Sequence, residues 1–270
     1  MMRPYQSLLF VPGSRPERFD KALASGADLV AIDLEDAVGP ADKASARAAA
    51  LAAVGSPRLG IRINGIRTRT GLADLLAISA CAAPTAFVMV PMVETVAELE
   101  IVHAILPDVP LLPLIETVKG LRVADAIAAT PDVGGLMLGG ADFAGELGVA
   151  MSWDALFAAR AHIAMACAAA RVPAIDVPYL DLDNLDGLAA EVTRIAAMGF
   201  AAKSVVHPKH VAVVHTVLRP SVEQIAEAHA AEAAYAAAGE AAVRWQGKML
   251  EAPVMARYRR ILGLQELNDA

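Results

Sequence analysis

Apolar residues in this chain form short runs, and polar residues follow the C-terminal edge of each run. Eight of these runs are almost continuously apolar, which is typical of parallel strands that are buried on both faces. They begin about 22 to 39 residues apart, enough for one crossover helix between successive parallel strands. The predicted strands are residues 7–11, 29–34, 59–64, 86–91, 111–116, 134–138, 173–177 and 202–206.

Segments that mix charged and apolar residues at helical spacing lie between these runs. They predict helices at residues 16–25, 41–54, 71–80, 96–106, 120–129, 153–170, 185–198 and 209–218. Ser221 and Gln224 form a capping box that begins a further helix, which we expect to end near Ala238, before Gly239. The tail from Glu240 onward does not continue this rhythm, and we expect it to form a short turn and a terminal helix.

Strands that alternate with helices in this way predict a protein of the α/β class, a (β/α)8 or TIM barrel with a short C-terminal helical extension. We expect residues 1–220 to form the barrel core. Residues 221–270 are expected to form helices that pack on the barrel or on a neighbouring subunit, within one structural domain. A length of 270 residues suits one barrel and leaves no room for a second large domain.

Composition narrows the class of protein further. Hydrophobic residues make up 56% of the chain, which is ample for a core, yet no uninterrupted apolar run reaches the roughly 18 residues of a membrane span. The first apolar run is too short for the core of a signal peptide, so we expect a cytoplasmic protein. Cys81 and Cys167 are expected to be buried free thiols. The net charge of −7 and the lack of a dense basic cluster argue against a nucleic-acid partner.

Two carboxylates follow neighbouring predicted strands. Glu116 closes the run LLPLIE, and Asp142 follows the glycines of MLGGAD, so both side chains should lie on the C-terminal rim, where catalytic groups of this fold sit. Two hard oxygen ligands suit Mg²⁺, which retains several waters. Gly139 and Gly140 would let the backbone approach a ligand closely, and the amides around Ala141 and Asp142 would bind its carboxylate. The alternative is that Glu116 caps the next helix and Asp142 makes a turn.

Arg62 lies within an otherwise apolar strand, where an unpaired charge would be costly. If it points up the barrel, it meets Glu116 and Asp142 with a planar fork that suits a carboxylate or an enolate oxygen. If it faces outward, it pairs with a carboxylate on a helix.

Three acidic residues, Asp33, Glu35 and Asp36, crowd the end of the second predicted strand. Like charges this close raise one another's pKa, which makes at least one of them a candidate acid, base or outer partner of a metal-bound water. The alternative is an ion cluster with Lys43, Arg47 or Arg62, and the two interpretations are compatible.

Several other cationic residues are weaker candidates. Arg15 and Arg18 follow the first strand at a turn that begins a helix, where amides and arginines could bind phosphate, although solvated charges fit equally well. His207 and His210 are three apart, but Pro208 between them disfavours a shared helix face and therefore a transition-metal site. Lys203 and His207 are expected to hold the last strand in place.

Nine segments, which together cover nearly the whole chain, carry a family resemblance in this order: SLLFVPGSRPERFDKAL, ADLVAIDLEDAVGPADKASAR, IRIN, LIET, LGGADFAGELG, AIDVPYLDLDNLDGL, MGFAAKSVVHPKH, RPSVEQIAEA and GKMLEAPV. They resemble the citrate lyase β-subunit-like branch of the HpcH/HpaI aldolase superfamily. The resemblance implies a TIM barrel that assembles into homotrimers or hexamers. It also implies that Glu116 and Asp142 bind Mg²⁺, that Arg62 contacts the substrate, and that Glu35 and Asp36 support catalysis.

Members of that family cleave or form a carbon–carbon bond next to a CoA or acyl-carrier thioester. We therefore expect a retro-Claisen lyase that converts (S)-citramalyl-CoA to acetyl-CoA and pyruvate, with Mg²⁺ or alternatively Mn²⁺. By charge and position, Arg15, Arg18, Lys43 and Arg47 are the candidates for CoA contacts. The alternatives are a citrate lyase β subunit with an acyl-carrier partner, a malyl-CoA lyase, a CoA-independent aldolase, and a non-catalytic CoA- or oxo-acid-binding regulator.

Two departures from the family pattern stand out. Met92 occupies a position where many relatives have a lysine, so that cation is missing here. The tail is expected to be much shorter than in malyl-CoA lyases and the related thioesterases, which argues against a dedicated thioester-hydrolysing aspartate.

Overall fold

The computed structural model describes residue 2 and residues 4–264 of the chain. Within it, the chain divides into two compact units, one that ends at His215 and one that begins at Thr216. The predicted division at residue 220 lies close to this point. How the C-terminal residues pack in the assembled protein stays a prediction.

Eight parallel strands close into a barrel in the order of the chain, which confirms the predicted fold. The strands are β1 (Ser7–Pro12), β2 (Leu29–Asp33), β3 (Leu59–Arg62), β4 (Val88–Val90), β5 (Leu111–Ile115), β6 (Leu136–Leu138), β7 (Ala174–Asp176) and β8 (Ala202–Val205). Every residue of β2 and β5 is buried, as the continuous apolar runs predict. The register places Asp33 beside Arg62 on neighbouring strands.

Helices surround the barrel. They are α1 (Phe19–Leu23), α2 (Lys43–Ala53), α3 (Arg69–Ser79), α4 (Val96–Ile105), α5 (Val118–Leu121), α6 (Ala124–Ala128), α7 (Gly140–Leu147), α8 (Trp153–Ala170), α9 (Leu185–Ala197) and α10 (Lys209–Leu218), with 3-10 turns at Pro16–Arg18 and Pro40–Asp42. Side-chain caps fix several starts: the Thr68 hydroxyl accepts from the Gly71 N–H, and Thr95 and Glu98 form a capping box.

Several element boundaries differ from the prediction. The predicted third strand extends to residue 64, but β3 ends at Arg62, and the backbone and side-chain N–H groups of Asn64 donate to Asp74 instead of to a neighbouring strand. The predicted helix at residues 120–129 is two short helices, α5 and α6. Helix α7, which begins at Gly140, was not predicted, and Asp142 therefore lies in a first helical turn rather than in a plain turn.

A buried ion cluster ties β7 and β8 to the helices outside them. The Arg160 guanidinium from α8 forks onto Asp176, with Nε–Oδ1 and Nη2–Oδ2 distances of 2.8 and 3.2 Å. Lys203 also donates to Asp176, at 2.7 Å, and to Glu191 of α9. All the strand and α8 members are almost inaccessible to solvent, so Lys203 holds the last strand in place as predicted.

The second unit consists of α11 (Val222–Ala237), the antiparallel hairpin of β9 (Val243–Trp245) and β10 (Lys248–Leu250), and α12 (Ala252–Gly263). The predicted capping box of Ser221 and Gln224 is present. The hairpin was not predicted. Its Leu250 packs in a small core with Tyr235 and Tyr258 from the two helices.

No helix among the described residues is both long and apolar enough to cross a membrane. Both cysteines are free thiols; Cys167 is buried, whereas Cys81 is only half-buried, contrary to the expectation of full burial.

The two histidines after β8 differ in their surroundings. His207 is exposed, and its Nδ1 accepts a hydrogen bond from the Lys209 N–H. Contrary to the expectation, it therefore does not hold β8 in place. His210 is buried, and its Nε2 lies 3.1 Å from the Leu182 carbonyl oxygen.

Asp28 closes the N-terminal end of the barrel. Its Oδ2 accepts hydrogen bonds from the N–H groups of Gln6 and Ser7 and lies 3.1 Å from Nε2 of His215. Burial works to raise the pKa of Asp28, but the hydrogen bonds from His215, Gln6 and Ser7 outweigh it and lower the pKa to about 2.

Asp28 should therefore stabilise the protein in a pH-dependent way. Because its folded-state pKa lies below the ordinary value of 3.8, its contribution is present above that value and is lost as the pH falls toward 2. We expect Asp28→Asn to lower the free energy of unfolding at pH 7 by on the order of 2 kcal/mol, and the difference from wild type to shrink between about pH 5 and pH 2. Urea unfolding of both proteins across that range measures it; a pH-independent difference would contradict the assignment.

Candidate active site

A cavity of about 310 Å³ opens at the C-terminal ends of the strands. Its polar lining comes from residues at the ends of β2, β3 and β5 and from the start of α7. Its apolar wall comes from β1, β5, β6 and the segments after β7 and β8. The lining residues are Phe10, Pro12, Asp33, Asp36, Ala37, Arg62, Leu114, Glu116, Met137, Gly139, Gly140, Ala141, Asp142, Pro178 and Val206.

Glu116 and Asp142 both line this cavity. Glu116 directly follows β5, is only 3% exposed, and accepts at Oε2 a hydrogen bond from the Met92 N–H at 2.7 Å. It does not cap the next helix, because Thr117 caps α5 by accepting from the Gly120 N–H. The alternative reading of Glu116 as a helix cap is therefore excluded.

Burial, and to a lesser extent the neighbouring carboxylates, disfavour the charged forms of Glu116 and Asp142. Burial raises the pKa of Glu116 to about 7, with a further contribution from Asp142, although the Met92 N–H and Arg62 act in the opposite direction. Burial also raises the pKa of Asp142, helped by the charge of Asp36. A divalent cation between Glu116 and Asp142 would relieve this repulsion.

The carboxylates of Glu116 and Asp142 suit a single hard cation. The part of the chain that the structure describes has no group of three or more His, Cys, Asp or Glu side chains placed to hold a metal. Glu116 and Asp142 thus offer two carboxylates and leave the remaining positions to water and substrate. This is the ligand set that Mg²⁺ accepts, whereas a structural Zn²⁺ site needs four protein ligands.

Gly139 provides the space for the Glu116 side chain. Its N–H donates to the Ile115 carbonyl at 2.9 Å, and a Cβ at this position would overlap Cγ and Oε1 of Glu116. We expect Gly139→Ala to displace Glu116 and to reduce kcat/KM by about a hundredfold, the effect of misplacing a catalytic group by about 1 Å. Gly145→Ala, in the same helix region with nothing within 4 Å of the added Cβ, is the control. Equal activity of the two variants would refute the role of Gly139.

Arg62 is the hub of the acidic residues after β2. Its Nε and Nη2 donate to the two carboxylate oxygens of Asp33 at 2.7 and 2.6 Å, and its Nη1 lies 3.0 Å from Glu35 and 3.3 Å from Asp36. Burial disfavours the charged guanidinium, but Asp33 and the neighbouring acids raise the pKa of Arg62. The guanidinium carbon also lies 5.0 Å from the centre of the Phe10 ring.

The structure selects one of the two orientations that the sequence left open for Arg62. Arg62 lines the same cavity as Glu116 and Asp142, as expected if it points up the barrel, and its fork binds Asp33. The ion cluster predicted as an alternative for the acidic residues after β2 is present, and Arg62 is its cation.

Glu35 and Asp36 differ in environment. Burial raises the pKa of Glu35 to about 8. The charge of Arg62 lowers this pKa, and the negative charges of Glu116, Asp36 and Asp33 raise it further. Asp36 lines the cavity with a side chain that is 66% exposed. Asp33 shapes the loop that carries them, because it accepts the Glu35 and Ala37 N–H groups.

The four candidate CoA-binding cations fall into two groups. Lys43 donates to the carbonyls of Leu34 and Glu35, and Arg47 pairs with the buried Asp74, so both already serve the fold. Arg15 and Arg18 have exposed side chains beside the 3-10 turn after β1. His207 and His210 do not face a shared site, since their ring centroids lie 6.3 Å apart and Nε2 of His210 lies against the Leu182 carbonyl.

Met92 contacts the site in a way that the sequence analysis, which considered only its side chain, missed. It enters the site through its backbone N–H, and its φ of 56° lies in the left-handed region that non-glycine residues rarely adopt. No side-chain type signals this conformation in the sequence, so only the structure could identify it.

A TIM barrel with a carboxylate pair and a buried arginine at its C-terminal rim has the arrangement of an enzyme, because the active sites of this fold lie at that rim. The chain belongs to the HpcH/HpaI aldolase/citrate lyase family, whose sequence pattern matches residues 6–208.

Among characterised relatives, the chain is 34% identical to a (3S)-malyl-CoA thioesterase of Cereibacter sphaeroides, over 92% of this chain and 90% of that protein. It is 32% identical to an L-malyl-CoA/β-methylmalyl-CoA lyase of the same species, over 92% and 91%. It also resembles the crystal structure of CitE from Mycobacterium tuberculosis in complex with magnesium, acetoacetate and coenzyme A, with a TM-score of 0.84, 32% identity, and 97% and 98% of the two chains covered.

The expectation of a shorter tail stays a prediction, because the aligned regions cover 90% of the thioesterase and 91% of the lyase without locating the uncovered residues.

Proposed function

We propose that this chain is a Mg²⁺-dependent carbon–carbon lyase that cleaves a 3-hydroxyacyl-CoA thioester, with (S)-citramalyl-CoA as the preferred substrate and acetyl-CoA and pyruvate as products. The observation that carries the proposal is that Glu116, Asp142 and Arg62 line one rim cavity. Relatives named for malyl-CoA cleavage and a similar structure that holds magnesium, acetoacetate and coenzyme A support it.

Glu116 and Asp142 would hold the metal. Bound Mg²⁺ supplies Lewis-acid polarisation of the substrate's hydroxyl and carboxylate groups. The backbone at Gly140 and Ala141, in the first turn of α7, binds the substrate carboxylate next to this pair. These contacts fix the 2-oxo acid half of the substrate at the rim.

The cavity's other residues then serve the bond cleavage. Loss of the hydroxyl proton forms the carbonyl of the 2-oxo acid, and the electrons of the breaking carbon–carbon bond pass to the thioester as an enolate. Arg62 stabilises the developing negative charge on the thioester oxygen. Asp36, or a water that it orients, takes the hydroxyl proton and supplies a proton to the enolate carbon, which completes acetyl-CoA.

Size and lining support a short, partly apolar acyl group. About 310 Å³ lies at the small end of ligand cavities, so it suits the acyl part, while the bulk of CoA lies outside. Phe10, Leu114, Met137 and Val206 give the cavity an apolar wall for the substrate's methyl group. Arg15 and Arg18, exposed at the same end of the barrel, are the candidates for the CoA phosphates.

Thioester hydrolysis is a second candidate function, because the (3S)-malyl-CoA thioesterase is 34% identical over 92% of this chain. The same cavity would then direct water at the thioester carbonyl, and the products would be free CoA and an intact hydroxy acid.

We also propose a localisation, an oligomeric state and an alternative metal for the enzyme. We place it in the cytoplasm, where its two free thiols stay reduced, and we propose a homotrimer or hexamer in which Mn²⁺ can replace Mg²⁺. Phe157 and Met165 support self-association, since they are 52% and 65% exposed on one face of α8. Light scattering of the purified protein tests the oligomer.

A substrate panel tests the reaction. Citramalyl-, malyl- and citryl-CoA, and a citryl thioester of an acyl-carrier protein, are incubated with the protein, with and without EDTA, and pyruvate, glyoxylate, oxaloacetate and free thiol are measured separately. We expect pyruvate release from citramalyl-CoA to be fastest and to stop with EDTA. Thiol release without oxo acid would indicate a thioesterase, activity only on an acyl-carrier thioester a citrate lyase β subunit, and binding without turnover a regulator.

A further inference from the structure

An ion network outside the cavity joins the loops that follow β3, β4 and β5. Arg67, just before α3, lies 2.5 Å from Glu94 and 3.0 Å from Glu98. Glu94 in turn accepts from the side chains of Lys119 and Thr117, at 3.0 and 3.1 Å. Three rim loops are therefore locked together by one arginine and one glutamate.

Arg67 also contacts the backbone of Met92, whose N–H donates to the cavity residue Glu116. Its Nη2 donates to the Met92 carbonyl oxygen at 2.6 Å, while the N–H of the same Met92 donates to Oε2 of Glu116 at 2.7 Å. Met92 thus bridges the surface network and the candidate metal ligand through its two backbone groups.

Met92 needs such a restraint. A φ of 56° places it in the left-handed region, which is unfavourable for a residue with a side chain relative to ordinary backbone. If its carbonyl were released, Met92 could return to a favourable φ, and its N–H would then swing away from Glu116. An off-site contact at the carbonyl is therefore coupled to the position of the ligand.

We infer that Arg67 is a positioning residue for the metal site, which acts on Glu116 through the left-handed Met92 and thereby sets Mg²⁺ affinity. This inference rests on the proposed function, because it assumes that Glu116 binds Mg²⁺. Arg67 is 49% exposed and is not among the residues that line the cavity, so its effect on Glu116 would pass through Met92. Its shape matters as much as its charge, since a lysine ammonium cannot pair with Glu94 and Glu98 and also hold the Met92 carbonyl.

The test measures Mg²⁺ binding to the metal-free, full-length protein by calorimetry. We expect Arg67→Met to raise the Mg²⁺ dissociation constant about tenfold or more, as loss of an outer partner of a ligand does. Arg67→Lys, which keeps the pairing with Glu94 and should fold normally, is expected to fall between Arg67→Met and wild type. The control is Arg259→Met, because Arg259 pairs with Glu232 at 2.8 Å, is 52% exposed and lies in the second unit.

The Mg²⁺ titrations distinguish a failure of the proposed function from a failure of the positioning role of Arg67. A wild-type protein that binds no Mg²⁺ overturns the proposed function itself. If the wild type binds Mg²⁺ and both Arg67→Met and Arg67→Lys bind it as tightly as the wild type does, the positioning role is wrong, whatever the melting temperatures of the variants. Weaker Mg²⁺ binding in both Arg67 variants, with Arg259→Met unchanged, supports it, because a merely structural ion pair would not alter metal affinity.

Discussion

Arg62→Lys is expected to reduce kcat/KM by about 10²–10³ at unchanged Mg²⁺ affinity, the range seen when one oxyanion-stabilising donor is removed. The guanidinium makes several contacts at once: two to Asp33, one to Glu35 and one to Asp36. A lysine ammonium keeps the charge but cannot form the fork, so it will be drawn to one carboxylate. The negative charge that develops on the thioester then loses its planar donor.

The molecule contains a close match for a control. Arg160 forks onto Asp176 in the same way, from Nε and Nη2 to the two carboxylate oxygens, and both side chains are fully buried. This pair is not part of the cavity lining. Arg160→Lys should therefore lower stability by an amount similar to Arg62→Lys, within the roughly 0.5–3 kcal/mol of most single substitutions, but keep kcat.

Steady-state kinetics with saturating Mg²⁺ and chemical unfolding of both variants make the comparison. Loss of turnover confined to Arg62→Lys assigns the arginine to the chemistry. If both variants lose stability and neither loses kcat, Arg62 is a structural residue and the proposed stabilisation of the enolate is wrong.

The sequence predicted the barrel and the acidic pair for one physical reason. Strands buried on both faces must be almost continuously apolar, so a polar residue at the end of such a run marks the rim. Glu116 and Asp142 follow consecutive strands and therefore had to be neighbours once the barrel was accepted. This part of the site follows from order along the chain.

The partner of Arg62 does not follow from order alone. Asp33 and Arg62 are adjacent only because the β2–β3 register aligns them, and register depends on how two strands slide when the barrel closes. A one-residue shift would have turned the arginine to the helix side. The sequence therefore left both orientations open, and the tertiary structure selected one.

Helix α7 shows another limit. It begins at Gly140, directly after Gly139, and glycine is a poor helix former, so local preference argued for a loop. The buried side chains of Phe143 and Ala144 supply the packing that stabilises the helix. Asp142 is therefore presented from a helical turn, which local sequence propensity cannot indicate.

Glu116→Gln is expected to reduce kcat/KM by about 10³ or more, since metal-derived charge stabilisation is worth several kcal/mol and each 1.36 kcal/mol is tenfold in rate. The amide oxygen of glutamine can still accept the Met92 N–H, so the loop should keep its shape. What is lost is the negative charge and one good oxygen ligand for Mg²⁺.

A second glutamate provides the matched control. The Glu146 carboxylate also accepts a backbone N–H, that of Val118 at 2.8 Å, but it is exposed and is not among the cavity-lining residues. Glu146→Gln therefore makes the same chemical change outside the site, and we expect it to retain Mg²⁺ affinity and turnover.

Calorimetric Mg²⁺ titrations and coupled assays with and without EDTA distinguish the possible results for Glu116→Gln. EDTA should abolish wild-type turnover. It should leave the residual activity of the Glu116→Gln variant unchanged, because that variant no longer binds the metal. Asp142→Asn should show a smaller defect, since Asp142 is exposed and its replacement by water is easier. Full Mg²⁺-stimulated activity in Glu116→Gln would move the metal away from the β5 rim and remove the basis of the proposed chemistry.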